Sequence, residues 1–115
     1  MNLDKLRSLA TVELECIPED TSVRGNASCI DPETDKANED WIIKQLESGN
    51  DWAWFTARVS ASYAGVEGSD YLGQCSYRSE KDFLTGGYYG DMVDTALREL
   101  ANKLEEIQSA IAELA

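Results

Sequence analysis

The stretch Asp51-Trp-Ala-Trp-Phe-Thr-Ala-Arg-Val-Ser-Ala-Ser-Tyr63 decides how the rest of the chain must be arranged. From Ala53 onward every second residue is apolar or aromatic (Ala53, Phe55, Ala57, Val59, Ala61, Tyr63), while Thr56, Arg58, Ser60 and Ser62 fill the alternate positions. Period-two alternation belongs to a strand buried on one face. Residues 52–63 are therefore expected to be extended, with the Phe55, Val59 and Tyr63 face covered and the Thr56, Arg58, Ser60 face open to solvent or to a ligand. The glycines and Asp70 of Gly65-Val-Glu-Gly-Ser-Asp70 supply turn chemistry, after which Tyr71-Leu-Gly-Gln-Cys-Ser-Tyr77 returns alongside. A lone hairpin is marginal in water, so the flanking segments must cover it.

Thr11-Val-Glu-Leu-Glu-Cys-Ile17 alternates as well, with Val12, Leu14 and Cys16 inward, and Pro18 ends it because proline cannot donate to a ladder. Residues 1–10 form a short helical turn or fray, and residues 19–30 read as a loop. Asp31-Pro32 then opens a helix over residues 32–48: Asp is a favoured N-cap, Pro suits the first helical position, and Glu33 and Asp35 complement the dipole. Its apolar stripe is Ala37, Trp41, Ile42 and Leu46 with Ile43 on the flank, and Lys36, Glu39, Asp40, Lys44 and Glu47 occupy the opposite face. Residues 78–90, with three glycines and no period, read as an ordered loop in which Phe83, Leu84, Tyr88 and Tyr89 either pin the chain to the core or present a sticky surface.

The last element is the most regular. Val93, Leu97, Leu100, Leu104, Ile107, Ile111 and Leu114 are spaced 4, 3, 4, 3, 4, 3, a continuous helical stripe from Asp91 onward. It is longer than a hairpin needs for cover, so Ile107, Ile111 and Leu114 overhang, either as a homodimer seam or packed on the N-terminal segment. The order β-α-β-β-α predicts an α+β fold: a two-layer sandwich in a single domain over 1–115. It has a three-stranded antiparallel or mixed sheet with two helices on one face.

Twenty-two acidic and ten basic side chains give a formal net charge of −12. That field repels phosphates and argues against direct binding of nucleic acid. It steers the molecule toward basic surfaces, of which the nucleic-acid grooves of other proteins are the commonest, unless it serves only solubility. Residues 31–51 alone hold seven acids against two lysines, either a contact surface or a solvated helix face with lysines interspersed. No apolar run approaches the roughly 20 residues of a membrane helix and no signal-peptide core is visible, so a soluble cytoplasmic protein is expected. With no histidine and no Cys-x-x-Cys pair, Cys16, Cys29 and Cys75 do not suggest a metal site. Nothing pairs a nucleophile with a base or cradles a phosphate, so neither catalysis nor a cofactor is expected.

Four segments carry a resemblance: Ser22-Val-Arg-Gly-Asn26, Glu39-Asp-Trp-Ile-Ile-Lys-Gln-Leu-Glu-Ser-Gly-Asn-Asp-Trp-Ala-Trp54, Tyr71-Leu-Gly-Gln-Cys-Ser-Tyr77 and Gly87-Tyr-Tyr-Gly-Asp-Met-Val-Asp94. They resemble small acidic proteins carried by phages, prophages and plasmids, a group that brings no established activity, ligand or catalytic residue. The resemblance implies a mobile-element context in a bacterial host. By analogy of context it implies an inhibitor of host defence, of the anti-CRISPR or anti-restriction type. Such a protein would act as a DNA mimic on the basic surface of a CRISPR effector or nuclease. The expected contact surface is Glu39, Asp40, Glu47 and Asp51 around Trp52 and Trp54, with Tyr88, Tyr89 and Asp91 as a second patch. The alternative is a self-associating structural or regulatory phage protein.

Overall fold

In the computed structural model, which describes residues 1–115, helix accounts for 51% and strand for 23% of the chain, which places it in the α+β class. The elements are α1 (Leu3–Leu9), β1 (Thr11–Pro18), α2 (Pro32–Glu47), a 3-10 turn (Asp51–Ala53), β2 (Phe55–Tyr63), β3 (Val66–Cys75), α3 (Glu80–Thr85) and α4 (Gly87–Glu113). The strands form one antiparallel sheet in the order β1-β2-β3. The expected β-α-β-β-α series is thus embedded in a longer one. Four α-helices are present where two were expected on one face.

The alternation on β2 is realised fully at its start. Ala53, Phe55, Ala57, Val59 and Ala61 have no exposed surface, whereas Tyr63 at the strand's end is exposed. Ser60, expected to be open, is also buried. The segment before β2 departs from expectation: residues 51–53 turn in a 3-10 helix, so extended structure begins at Phe55 instead of Trp52. The hairpin turn is tighter than its glycines suggest. Ala64 (φ 53°) and Gly65 (φ 78°) close it in two residues, both left-handed as a type I′ turn requires. Glu67 to Asp70 accordingly belong to β3, and the turn was hidden because alanine is a poor left-handed residue.

The segment read as a loop contains α3 and the first turn of α4. Ser79 caps α3, its hydroxyl accepting from the Asp82 amide at 3.2 Å, and this cap outweighs the glycines that follow. Gly86 ends α3 and Gly87 opens α4, four residues earlier than the apolar stripe implies.

Two compact units divide the chain, and every strand passes through both. The first comprises Met1–Leu14, Arg58–Tyr71 and Gly87–Ala115. Its core holds Leu6, Val59, Ala61, Met92, Ala96, Leu97 and Leu100. Here α1 packs on α4, joined by an Arg7–Asp94 ion pair at 2.5 Å. Gly68 of β3 lies flush against α4: a Cβ there would come within 2.5 Å of the Leu100 nitrogen and closer still to the Ala96 carbonyl oxygen. Around that contact Glu99 accepts from the Ser69 amide at 3.4 Å, and Lys103 Nζ donates to the Glu67 carbonyl at 2.8 Å.

The second unit comprises Glu15–Ala57 and Leu72–Gly86. Phe83 stands edge-on to Tyr77 at 5.1 Å and to Phe55 at 5.5 Å, and Trp52 completes this aromatic cluster, 5.0 Å from Phe55. A neighbouring cluster joins Val23, Ile42, Ala53 and Trp54, with Ile43 and Leu46 packed against it.

Candidate functional site

The second unit holds most of the residues singled out from the sequence. It carries twelve carboxylates against five basic side chains, and nine of the twelve are exposed. The helix that displays many of them, α2, starts as its sequence dictates. Asp31 caps it, accepting from the Thr34 amide at 2.8 Å and from the Thr34 hydroxyl at 2.9 Å. Those bonds hold the Asp31 carboxyl below its ordinary range, the amide contributing most. The half-buried Asp35 is engaged locally, accepting from Ser28 Oγ at 2.7 Å and the Ile30 amide at 2.9 Å.

The buried face of α2 is rotated from the expected one. Glu39, Ile42, Ile43 and Leu46 turn inward, at a spacing of i, i+3, i+4, i+7, while Ala37 and Trp41 face out. Glu39 was expected on the solvent face and is instead buried. Its carboxylate accepts from the Gly25 amide at 3.1 Å and from Arg24 Nη1 at 3.2 Å. Arg24 Nη2 also donates to Asp40 at 2.6 Å. One arginine thus ties the 22–26 loop to two carboxylates, which explains how an acid can sit in the packed face of a helix.

The expected surface is therefore divided by the fold. Glu39 and Trp54 are internal, and Trp54 donates its indole N–H to the Thr21 carbonyl at 2.7 Å. Trp52 is half-buried in the aromatic cluster. Asp40, Glu47 and Asp51 are exposed, and of these only Asp40 is ion-paired. The exposed tryptophan of this unit is Trp41, adjacent to Asp40, and it lines a depression of about 280 Å³ with Ala27, Asn38, Ile42 and Ser76. Sequence reasoning missed it by assigning Trp41 to the buried stripe. The inward-facing Glu39 was legible only through its partner Arg24, fifteen residues away. Tyr88, Tyr89 and Asp91 lie in the first unit, on α4 itself; Tyr88 and Asp91 are exposed and Tyr89 is half-buried.

At the end of α2 lies a pocket of about 180 Å³, lined by Cys16, Pro18, Glu19, Leu46, Asp51 and Trp54. Its walls are apolar, and two carboxylates stand in it. Glu19 is fully occupied: it accepts from the Thr21 amide at 3.0 Å, the Gln74 amide at 2.5 Å and the Thr56 hydroxyl at 3.0 Å. Gln74 has φ 54°, and its bond to Glu19 holds this left-handed residue in place near the end of β3. Asp51 uses its backbone carbonyl to meet Cys16 Sγ at 3.8 Å, leaving its side chain exposed. Burial first, then the charges of Asp51, Cys75 and Glu80, push the Cys16 thiol up to about 11. At neutral pH it is a protonated thiol, the poorer nucleophile and metal ligand of its two forms. No group of three or more His, Cys, Asp or Glu side chains has the arrangement of a metal site. No helix is long and apolar enough to cross a membrane.

The three bonds depress the Glu19 carboxyl, the Thr21 amide contributing most and the Gln74 amide next. A group whose folded value lies below its unfolded value stabilises the fold above the unfolded pKa and loses that contribution as pH falls through the folded one. Thermal midpoints of the wild type and Glu19→Gln should therefore differ at pH 7 and converge below about pH 4. A gap that stays constant across that range would show that the charged form of Glu19 is not the stabilising one.

No protein-family model, curated protein or solved structure matches the chain, so its chemistry has to be read from its own side chains.

Proposed function

We propose that the protein is a binding protein, not a catalyst, and that it occupies a basic surface on another protein. In a mobile-element setting this makes it an inhibitor of a host defence protein, of the anti-CRISPR or anti-restriction type. The observation that carries the reading is the exposed charge of the second unit: Asp40, Glu47 and Asp51 lie outside its packed clusters, and Asp51 rims the apolar-walled pocket beside Leu46 and Trp54. That combination suits a lysine or arginine, whose stem packs on apolar walls while its cation meets a carboxylate. Lys36 and Lys44 are interspersed with the acids on the outer face of α2.

The test is a triple reversal, Asp40→Lys, Glu47→Lys and Asp51→Lys, which keeps Glu39 and its bond from the Gly25 amide but takes from Arg24 its Asp40 partner. Protein immobilised at low salt should retain nucleic-acid-binding proteins from a bacterial lysate, and duplex DNA or raised salt should release them. The triple variant should retain at least about tenfold less, since each lost charge contact weakens association, while its far-UV circular dichroism is unchanged. Retention that survives the reversal, or that DNA fails to displace, would remove the basic-groove reading.

A further inference from the structure

The first unit leaves a distinct apolar surface uncovered. Beyond Ala101, α4 continues to Glu113 with every residue except Leu104 exposed. Along that portion the 4-3 spacing persists, and its apolar side chains become steadily barer: Ile107 is 44% exposed, Ile111 61% and Leu114 86%. A spacing of 3.5 residues keeps one seam facing a partner helix, as in a coiled coil. Leu104, the first member of this seam, also lines a groove of about 200 Å³ with Leu6, Leu9 and Tyr63. Leu9 and Tyr63 are exposed there, so seam and groove make one continuous apolar strip.

The flanks of the seam indicate what covers it. With Leu104 and Ile111 at a positions and Ile107 at d, and Leu114 following in the turn after the helix, the flanking e and g positions on the helix are Lys103, Gln108 and Ala110. None is acidic. Glu105, Glu106 and Glu113 fall at b and c, turned away from a partner at the seam. In a chain with a net charge of −12, that placement keeps carboxylates out of the seam, so a second copy meets only the longer-range repulsion of the two overall charges, and it offers a basic foreign helix no carboxylate to pair with. Leu9, Tyr63, Ile107, Ile111 and Leu114 are each at least 41% exposed and together form a mainly apolar surface.

We infer that this strip is a self-association surface, and that its occupant is the same strip of a second copy of this chain. Raising salt screens the like charges of the two copies and strengthens the pair, whereas it weakens association with a basic partner.

Sedimentation equilibrium on the full chain over a concentration series tests this. The expected result is a mass that rises to twice the monomer and does so at lower concentration in higher salt. Ile111→Glu should weaken self-association by at least about 100-fold, because a charge would be buried in the seam. Ala110→Glu and Ser109→Glu add the same charge at adjacent exposed positions, one at the flank and one on the outer face. The former should weaken the pair about tenfold and the latter hardly at all. Circular dichroism and thermal midpoints taken in parallel should show these exposed-site variants folded. A wild type that stays monomeric up to about 1 mM, far above the range of a stable interface, would overturn the inference. So would an Ile111→Glu variant that pairs like the wild type, or equal losses from Ser109→Glu and Ala110→Glu.

Discussion

Replacing Gly68 by alanine should lower the stability of the fold by about 3 kcal/mol or more, or prevent folding altogether. The added methyl has nowhere to go, because the atoms it would meet are backbone: the Ala96 carbonyl oxygen and the Leu100 nitrogen of α4. A flexible side chain could move aside, but a helix backbone can yield only by displacing the whole helix from the sheet. That shift would open the packing of Leu97 and Leu100, which are almost completely buried. Urea denaturation followed by circular dichroism measures the loss, with Gly87→Ala as the control, since a Cβ there meets nothing within 4 Å. Gly68 does not have a left-handed backbone, so steric room alone is at issue. A Gly68→Ala variant within about 1 kcal/mol of the wild type would show that α4 does not sit this close to β3, because overpacking at such a contact typically costs 1–3 kcal/mol.

The second large effect is expected in the other unit. Phe83 is fully buried and touches Tyr77, Phe55 and, at 6.3 Å, Trp52. Phe83→Ala should lower stability by about 3–5 kcal/mol through lost burial and an aromatic-lined cavity. Against a total of about 5–15 kcal/mol for a domain, that is a large share. Intrinsic fluorescence should report it as well, because Trp52 would lose a neighbouring ring. A loss below about 1 kcal/mol in the denaturation midpoint would mean that the cluster closes over the gap, against the packing described here.

These two residues illustrate what a sequence discloses. The strand face carrying Phe55, Ala57 and Val59 was legible because alternation is a local pattern written in consecutive residues. The same holds for the Asp31-Pro32 start of α2 and for the long stripe of α4. Phe83 was read as either a core pin or part of a sticky surface, and its helix was not foreseen, because Gly86 and Gly87 masked the Ser79–Asp82 cap. The turn at Ala64 was misplaced because a type I′ turn usually announces itself with Asn-Gly or Asp-Gly. Gly68 was read as turn chemistry, when its meaning lies in a helix thirty residues further on.

The candidate site was less legible than the fold, for a related reason. Exposed and buried carboxylates look alike in a sequence; Arg24 reaches both Glu39 and Asp40, and what sets Glu39 apart is its burial and the Gly25 amide it accepts from. Once that contact is recognised, the buried face of α2 rotates and Trp41, not Trp54, becomes the exposed indole. The expected surface keeps Asp40, Glu47 and Asp51, and loses the two residues that pack inward.

The continuity of α4 has a mechanical consequence. From Asp91 to Glu113 it contains neither glycine nor proline, and at the Gly68 contact its backbone is seated directly on the sheet. The portion beyond Ala101 is therefore a stiff rod about 18 Å long, clamped at one end. A surface carried on such a rod is already in its bound shape before anything meets it. Association would then forfeit little chain freedom, which is how a few turns of helix can hold a partner that a floppy tail of equal length could not.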